Sequence, residues 1–437
     1  MPEKNQIISL DIHGLGSSGE GVGSFEGMRV FVDGALPGER VKAKLDLVKK
    51  TYAKGRAVEI IAASNQRVEP PCPYYDRCGG CQIMHLAYPG QLAIKRQRVR
   101  DALERIGGFK DAAVNECLPS PREFGYRNKI QLPAQRSNGR LTVGLFERRT
   151  HNLVEIDHCM IHCGLGEEIY SHVLTKLKKL PESLRYILIR SSSGKQEGLV
   201  IFVTQNKDCG ALQGVAEELM NECPSIKGVV QNINPKDNNV ILGDSYKTLK
   251  GKSYIHDTIC GLTFKVSPAS FYQVNPYQAE HVYNKVVEFA DCRTADRIVD
   301  AYCGVGTLSL ILAKQAKEVV GIECVPQAIE DAVENGKRNG VSNCRFICKP
   351  TEKALKEFNN ADTVILNPPR KGCDAAVIET LNQTRPKRIV YLSCDPATLA
   401  RDLKLLEGYS LDSIQPFDMF PQTAHVETLV KLFDKQA

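Results

Sequence analysis

The sequence predicts an α/β protein whose carboxyl-terminal part is a doubly wound parallel sheet, preceded by a small β-barrel and a mixed α+β central region. Three observations predict it. From about residue 275, the apolar runs RIVDAYC, EVVGIEC, CRFIC, DTVILN and RIVYLSC alternate with helical stretches such as PQAIEDAVENGKRNG. That alternation is what parallel strands joined by crossover helices require. In residues 1 to about 60, RVFVDGALPGERVKAKLDLV alternates apolar and polar side chains between Gly and Pro turn positions, the pattern of half-buried strands. Between the two, RYILIRSSS and GLVIFVT read as strands beside the helical candidate QLAIKRQRVRDALERIG. A chain of 437 residues exceeds what one core supports, so two or three units are expected, and the pattern along the chain divides it at 1–62, 63–272 and 273–437.

Lys and Arg number 57 against 51 Asp and Glu, a net charge of +6, which alone gives a mild attraction for polyanions. The distribution says more. Arg40, Lys42, Lys44, Lys49, Lys50, Lys54 and Arg56 share one segment with only Asp46. The helical candidate adds Lys95, Arg96, Arg98, Arg100 and Arg105, and YRNK adds Arg127 and Lys129. Each group alone is an ordinary solvated face, but their joint occurrence points to RNA as the partner. The amino-terminal segment lacks the apolar core of an export signal, and no stretch approaches a membrane span. A cytoplasmic location is therefore expected, with no membrane and no obligate protein partner. Sixteen cysteines in such a chain suit metal ligation or catalysis where they cluster, rather than disulfides.

The first βα turn of the carboxyl-terminal region is DAYCGVGTLSL, with Asp300, Gly304 and Gly306, and the next strand ends in Glu323. Glycines let backbone approach a ligand, and an acidic residue about twenty positions on binds ribose hydroxyls. Ser309 stands where the dinucleotide fingerprint has its third glycine. S-adenosylmethionine has no pyrophosphate and carries a positive sulfonium, so it fits this acidic turn better. The fourth strand ends in DTVILNPPRKG, and two prolines after Asn367 make a stiff loop aimed at the crevice. Such an Asn-Pro-Pro could hold an exocyclic amine, yet Arg370 stands where those sites place a stacking aromatic residue.

In RIVYLSCDPATLARDL an apolar strand delivers Cys394 into a helix start opened by Asp395 and Pro396, at the carboxyl end of a strand where open α/β sheets place their chemistry. A thiolate there has a specific use. Carbon 5 of uracil becomes nucleophilic only after a thiolate adds to carbon 6, and a base must then remove the carbon 5 proton. A free thiol titrates near 8.5 and needs activation. Most of the other cysteines, Cys117, Cys209, Cys223, Cys260, Cys292, Cys324, Cys344 and Cys348, read as core filler; Cys303 and Cys373 are weaker nucleophile candidates. The carboxylate is sought in DMFPQTAHVETLVKL, where Glu427 opens a final strand beyond the Pro421–Gln422 turn.

Cys72, Cys78 and Cys81 lie in one loop with spacing C-x5-C-x2-C, and IDHCMIHC offers Cys159 or Cys163 as a distant fourth thiol. Four thiolates hold either an iron–sulfur cubane or a zinc ion, and the spacing leaves both open.

SCDPATLARDL, DMFPQTAHVE, DAYCGVGT, ASFYQVNPYQAE, FGYRNKIQLP and the cysteine loop together resemble the RNA uracil-5-methyltransferase family over nearly the whole chain. The likeness is strongest to the bacterial 23S ribosomal RNA enzymes, which carry an amino-terminal TRAM domain. The resemblance implies a Rossmann-like methyltransferase domain behind an OB-like TRAM barrel, with Cys394 as nucleophile and Glu427 as base. It implies S-adenosylmethionine contacts from Gln273, Tyr302, Thr307 and Glu323, to which the glycine turn adds Gly304 and Gly306 and the proline loop Asn367, and a [4Fe-4S] cluster on Cys72, Cys78, Cys81 and Cys159, with zinc as the alternative. Two departures stand out: Asn367 replaces the family's usual Asp, and Pro350 lies where relatives offer the adenine a polar contact. The expected function is C5-methylation of a 23S rRNA uridine. A transfer RNA target is the nearest alternative; an amino-group methyltransferase or a catalytically inactive iron–sulfur RNA-binding protein stands further off.

Overall fold

A computed structural model describes every residue except Met1, Asn138, Asp208, Cys209, Asp237 and Ala437. Cys209, read as core filler, therefore lies outside the described residues. Five strands close a barrel in the order β1-β2-β3-β5-β4: β1 Ile7–Leu15, β2 Gly21–Phe25, β3 Met28–Asp33, β4 Arg40–Val48 and β5 Tyr52–Ala62. Closure leaves no free edge. On β4 the buried Val41, Ala43 and Leu45 alternate with Arg40, Lys42 and Lys44, so the period of two turns these basic side chains outward. The barrel has its own apolar core, and ion pairs fasten it to the rest. Arg67 clamps Glu39 at 2.6 Å, and Arg149 reaches back to Glu20 and to Asp33, the latter at 3.0 Å.

After the cysteine loop comes helix α1, Tyr88–Ala102, continued by a π turn over Leu103–Gly107. A central seven-stranded sheet follows, built from β6 Lys129–Ser137, β7 Arg140–Phe146, β8 Leu153–Glu155, β9 Leu184–Ser191, β10 Gly198–Thr204, β11 Ile226–Ile233 and β12 Ser245–Gly251. Helices α2 Gly164–Thr175 and α3 Gly210–Glu222 cover one face of it. The hairpin β13 Ile255–Ile259 and β14 Leu262–Val266 leads into α4, Pro276–Ala290.

The carboxyl-terminal sheet runs β17-β16-β15-β18-β19-β21-β20, with β15 Arg297–Asp300, β16 Glu318–Glu323, β17 Cys344–Cys348, β18 Thr363–Leu366, β19 Arg388–Ser393, β20 Tyr409–Phe417 and β21 Glu427–Asp434. Helices α5 Thr307–Leu312, α6 Pro326–Arg338, α7 Thr351–Ala354, α8 Ala375–Thr384 and α9 Pro396–Leu405 connect its strands. The first five strands are parallel, as the alternating pattern predicts, and β21 joins antiparallel between β19 and β20. One apolar core lies on each face, as a doubly wound sheet requires.

Helix α1 corrects one reading of the sequence. It packs its Val99 into the core of the carboxyl-terminal sheet, and Lys95 is completely buried against Asp418 at 2.5 Å. Arg96 is engaged by Glu116 and the Val114 carbonyl, and Arg98 donates to the Ala424 carbonyl at 2.6 Å. These three cations hold the protein together and do not form a basic face.

Candidate active site

The strand pairing brings Cys394 and Glu427 together. Ser393 ends β19 opposite Thr428 of antiparallel β21, so the next position on each strand sets Cys394 against Glu427 across one rung. The chain turns sharply there because Asp395 caps α9, its carboxylate accepting from the Ala397 and Thr398 amides at 2.9 and 3.1 Å, with Pro396 in the first turn. Cys394 is half-buried and Glu427 is buried.

Burial holds the Glu427 carboxyl up at about 8, opposed by the Arg370 guanidinium. The Cys394 thiol is raised too, first by burial and then by the Glu427 carboxylate, again with Arg370 opposing. Arg370 thus acts electrostatically on both groups. The sequence showed it only as a missing aromatic residue after Pro368 and Pro369.

Beside this pair, Gln273, Tyr302, Gly304, Thr307 and Asn367 line one cavity, together with Asp300, Cys303, Phe271, Tyr272 and Tyr283. Tyr283 was not foreseen from the sequence. Burial first, and then the nearby Cys260, Asp300 and Glu427, raise its phenol, so it stands between the cavity and Glu427. Asp300 accepts from Ser309 Oγ at 2.7 Å through one oxygen, while its other oxygen, Oδ1, is buried without a partner. Burial raises this carboxyl to about 6. A cationic or amino-bearing ligand would satisfy it, so the cavity fits a sulfonium-carrying nucleoside.

Two expected cofactor residues stand apart from the cavity wall. Gly306 has φ 81°, and a β-carbon there would meet the Phe346 ring at 2.8 Å, so it serves the turn into α5. Glu323 ends β16, and its Oε1 accepts from the Cys324 and Val325 amides at 2.7 and 2.9 Å. Pro350 precedes α7 in the loop after β17. Cys303 and Cys373 are buried, and burial pushes Cys373 to about 11, so neither is poised as a nucleophile. Cys324 and Cys348 are exposed and fill no core.

The cysteine loop folds around a second cavity lined by Cys72, Cys78, Cys81 and Cys159, with Met84, Leu145 and Ile156 among its apolar walls. Cys163 is not at this cavity; it is buried as the residue capping α2. Burial and the neighbouring thiols raise the Cys81 thiol, and the Gly80 amide donates to Cys78 Sγ at 3.4 Å. A four-thiolate group therefore fits this pocket. Among the described residues, the one set of three or more Cys, His, Asp or Glu ligand atoms within 4.8 Å of one another is Glu168, His172 and Cys223, away from the loop. The four loop thiols are thus spread more widely than that.

The two parts are connected. The Gln82 and Ile83 amides both donate to the Gln422 carbonyl, at 3.0 and 3.1 Å, and Tyr126 Oη donates to the Pro421 carbonyl at 3.0 Å. Gln91 on α1 exchanges hydrogen bonds with Gln422, whose φ is 70°. These contacts and the Lys95–Asp418 pair hold the segment 418–426 that leads into Glu427. On the other side, the Asn128 amide group donates to the Gln273 carbonyl at 3.0 Å and its backbone N–H to that of Val274 at 2.8 Å, positioning a cavity residue.

The tRNA (Uracil-5-)-methyltransferase family model matches residues 87–435, and the TRAM domain model matches residues 3–58. Proteins named as uncharacterized RNA methyltransferases in Halalkalibacterium halodurans and Clostridium tetani are each 40% identical over 98% of this chain, covering 97% and 96% of their own lengths. The crystal structure of Pyrococcus abyssi tRNA (uracil-54, C5)-methyltransferase with S-adenosyl-L-homocysteine is 30% identical, with a TM-score of 0.77 over 97% of this chain and 100% of that one. The chain therefore belongs to the S-adenosylmethionine-dependent RNA uracil-5-methyltransferase family, in the form that carries an amino-terminal TRAM domain.

Proposed function

We propose that the protein methylates carbon 5 of a uridine in 23S ribosomal RNA, with Cys394 as nucleophile and Glu427 as base. The observation that carries this reading is the β19–β21 register, which sets a thiol beside a buried carboxyl that in turn acts on Tyr283 of the cavity wall. The Cys394 sulfur adds to uracil C6, and the electron pair of the C5–C6 double bond moves to carbon 5. That pair takes the methyl group from the donor's sulfonium, the C5–methyl bond forming as the methyl–sulfur bond breaks and a neutral thioether leaves; Gln273, Tyr302, Gly304, Thr307 and Asn367 would hold the donor, with Gly306 and Glu323 shaping the backbone around it. Glu427 then takes the carbon 5 proton, the carbon–sulfur bond at C6 breaks, and the double bond and the thiolate are restored together. For that step Glu427 must be ionised, a state that the neighbouring Arg370 guanidinium favours against burial.

Transfer RNA is the second reading, favoured by one observation: the Pyrococcus abyssi protein of similar structure acts on tRNA uracil-54. An amino-group methyltransferase would leave Cys394 and Glu427 without a role. The test is incubation of the protein, with methyl donor, on 23S rRNA and tRNA transcripts containing 5-fluorouridine. Fluorine at carbon 5 is not removable as a cation, so a covalent protein–RNA adduct accumulates on the true substrate and disappears in Cys394→Ala. Methylated adenine, or no adduct on either RNA, overturns the reading.

For the second cavity, a [4Fe-4S] cluster on Cys72, Cys78, Cys81 and Cys159 is the better fit. Tetrahedral zinc with bonds of about 2.3 Å draws its sulfurs to about 3.8 Å from one another. The wider spread of these thiols suits a cubane, which gives each thiolate its own iron.

A further inference from the structure

Three cations stand together beside the segment 268–274 that leads into the cavity, and none makes an ion pair with Asp or Glu among the described residues. Lys129 lies directly opposite Arg190 in the antiparallel pairing of β6 with β9, and Arg127 precedes Lys129 by two residues. Like charges in that relation destabilise a sheet. Arg190 is buried, donates to the Pro268 and Ser270 carbonyls at 3.1 and 2.6 Å, and leaves its Nε without a partner. Arg127 Nε donates to the Lys129 carbonyl at 2.9 Å. The Lys129 ammonium is half-buried and unpaired, and burial with its two cationic neighbours lowers it to about 7.

Arg127 also faces the Cys81 thiol, but the half-dry pair Lys129 and Arg190 has no acidic counter-ion among the described residues, which is costly, and a visiting anion relieves the cost. The surroundings identify the anion. Asn128, between two of the cations in sequence, holds the Gln273 and Val274 carbonyls, and Arg190 holds those of Pro268 and Ser270. The group therefore borders the segment that carries Phe271, Tyr272 and Gln273 into the cavity. A uridine turned out of its stack into that cavity brings its flanking phosphates to the rim, where backbone contacts set the register of the RNA.

We propose that Lys129, with Arg190 behind it and Arg127 alongside, is the docking point for an RNA backbone phosphate adjacent to the target uridine. This rests on the RNA-methylation reading and deepens it. The test is equilibrium binding of 23S rRNA and tRNA transcripts over a salt series by the wild-type protein, Lys129→Gln and Lys129→Arg, with S-adenosylhomocysteine affinity measured on each. Lys129→Gln weakens RNA binding about tenfold and makes the dependence of log K on log salt shallower by about one charge. Lys129→Arg restores both, and S-adenosylhomocysteine affinity is the same in all three. Unchanged RNA affinity and slope in Lys129→Gln overturn the proposal, as does a parallel loss of S-adenosylhomocysteine binding. Fluorouridine adduct formation by the wild-type protein is scored separately. An adduct with no Lys129 effect removes the docking point alone, and a Lys129 effect without an adduct removes the methylation reading alone.

Discussion

A carboxyl group held at about 8 has a consequence for stability as well as for proton transfer. In the unfolded chain Glu427 ionises near 4.5, whereas in the fold it stays protonated to about 8. Between those values the native state binds more protons, so this residue's contribution to stability falls as pH rises and levels off above the folded value. Glu427→Gln should therefore be more stable than wild type by a few kcal/mol at pH 8, with the gap shrinking toward pH 5. Denaturant melts at the two pH values check it; equal gaps contradict it. Asn367 has a parallel test. An amide in the cavity does not distinguish a sulfonium from a neutral thioether, whereas a carboxylate attracts the cation. Asn367→Asp is expected to tighten S-adenosylmethionine relative to S-adenosylhomocysteine, a ratio read by calorimetry. At this scale the place of Cys394 just past a strand end was legible because a strand ending in Ser-Cys-Asp-Pro is locally explicit, and so was that of Glu427 at the opening of the last strand. Arg370 and Tyr283 were not, because their role is exerted through space on residues far away in sequence.

Between elements, the decisive contact is one register. Six consecutive pairings from Arg388↔Phe433 to Ser393↔Thr428 fix β19 against β21, and a slip of one residue would turn the Glu427 side chain to the other face of the sheet. The alternating strands and helices of the carboxyl-terminal sheet could be read from periodicity, since their spacing is local. The role of α1 could not, because a Lys at 95 reads as solvated until Asp418 appears beside it. Both side chains are fully buried, and Asp418 Oδ2 has no other partner. Lys95→Met should therefore cost about 3–5 kcal/mol by stranding a charge, and Lys95→Met with Asp418→Asn should recover much of that loss. A double-mutant cycle in urea measures it. Gln91→Ala, which frees one side of Gln422, is expected to lower kcat several-fold with little change in KM for RNA, by loosening the approach to Glu427.

At the scale of the whole molecule, the cysteine loop joins three parts of the chain: its thiols come from two distant segments, and its next two residues hold the segment leading to Glu427. Cys159→Ser should abolish iron binding and visible absorbance in the purified protein, whereas Cys163→Ser, at the start of α2, should keep both. Iron analysis with spectra decides it. Sequence spacing left these two cysteines equivalent, since only the fold decides which one faces the pocket. The barrel differs in how it is joined, through Arg67 to Glu39 and Arg149 to Glu20 and Asp33. Arg149 is 47% exposed in its side chain, so dissolved ions compete with it as they compete with phosphate contacts. Added electrolyte thus loosens this seam while it also loosens the grip on the polyanion, and a raw titration curve mixes two equilibria. Counting RNA charges neutralised then requires subtracting one variant's curve from another's, so that the shared seam drops out.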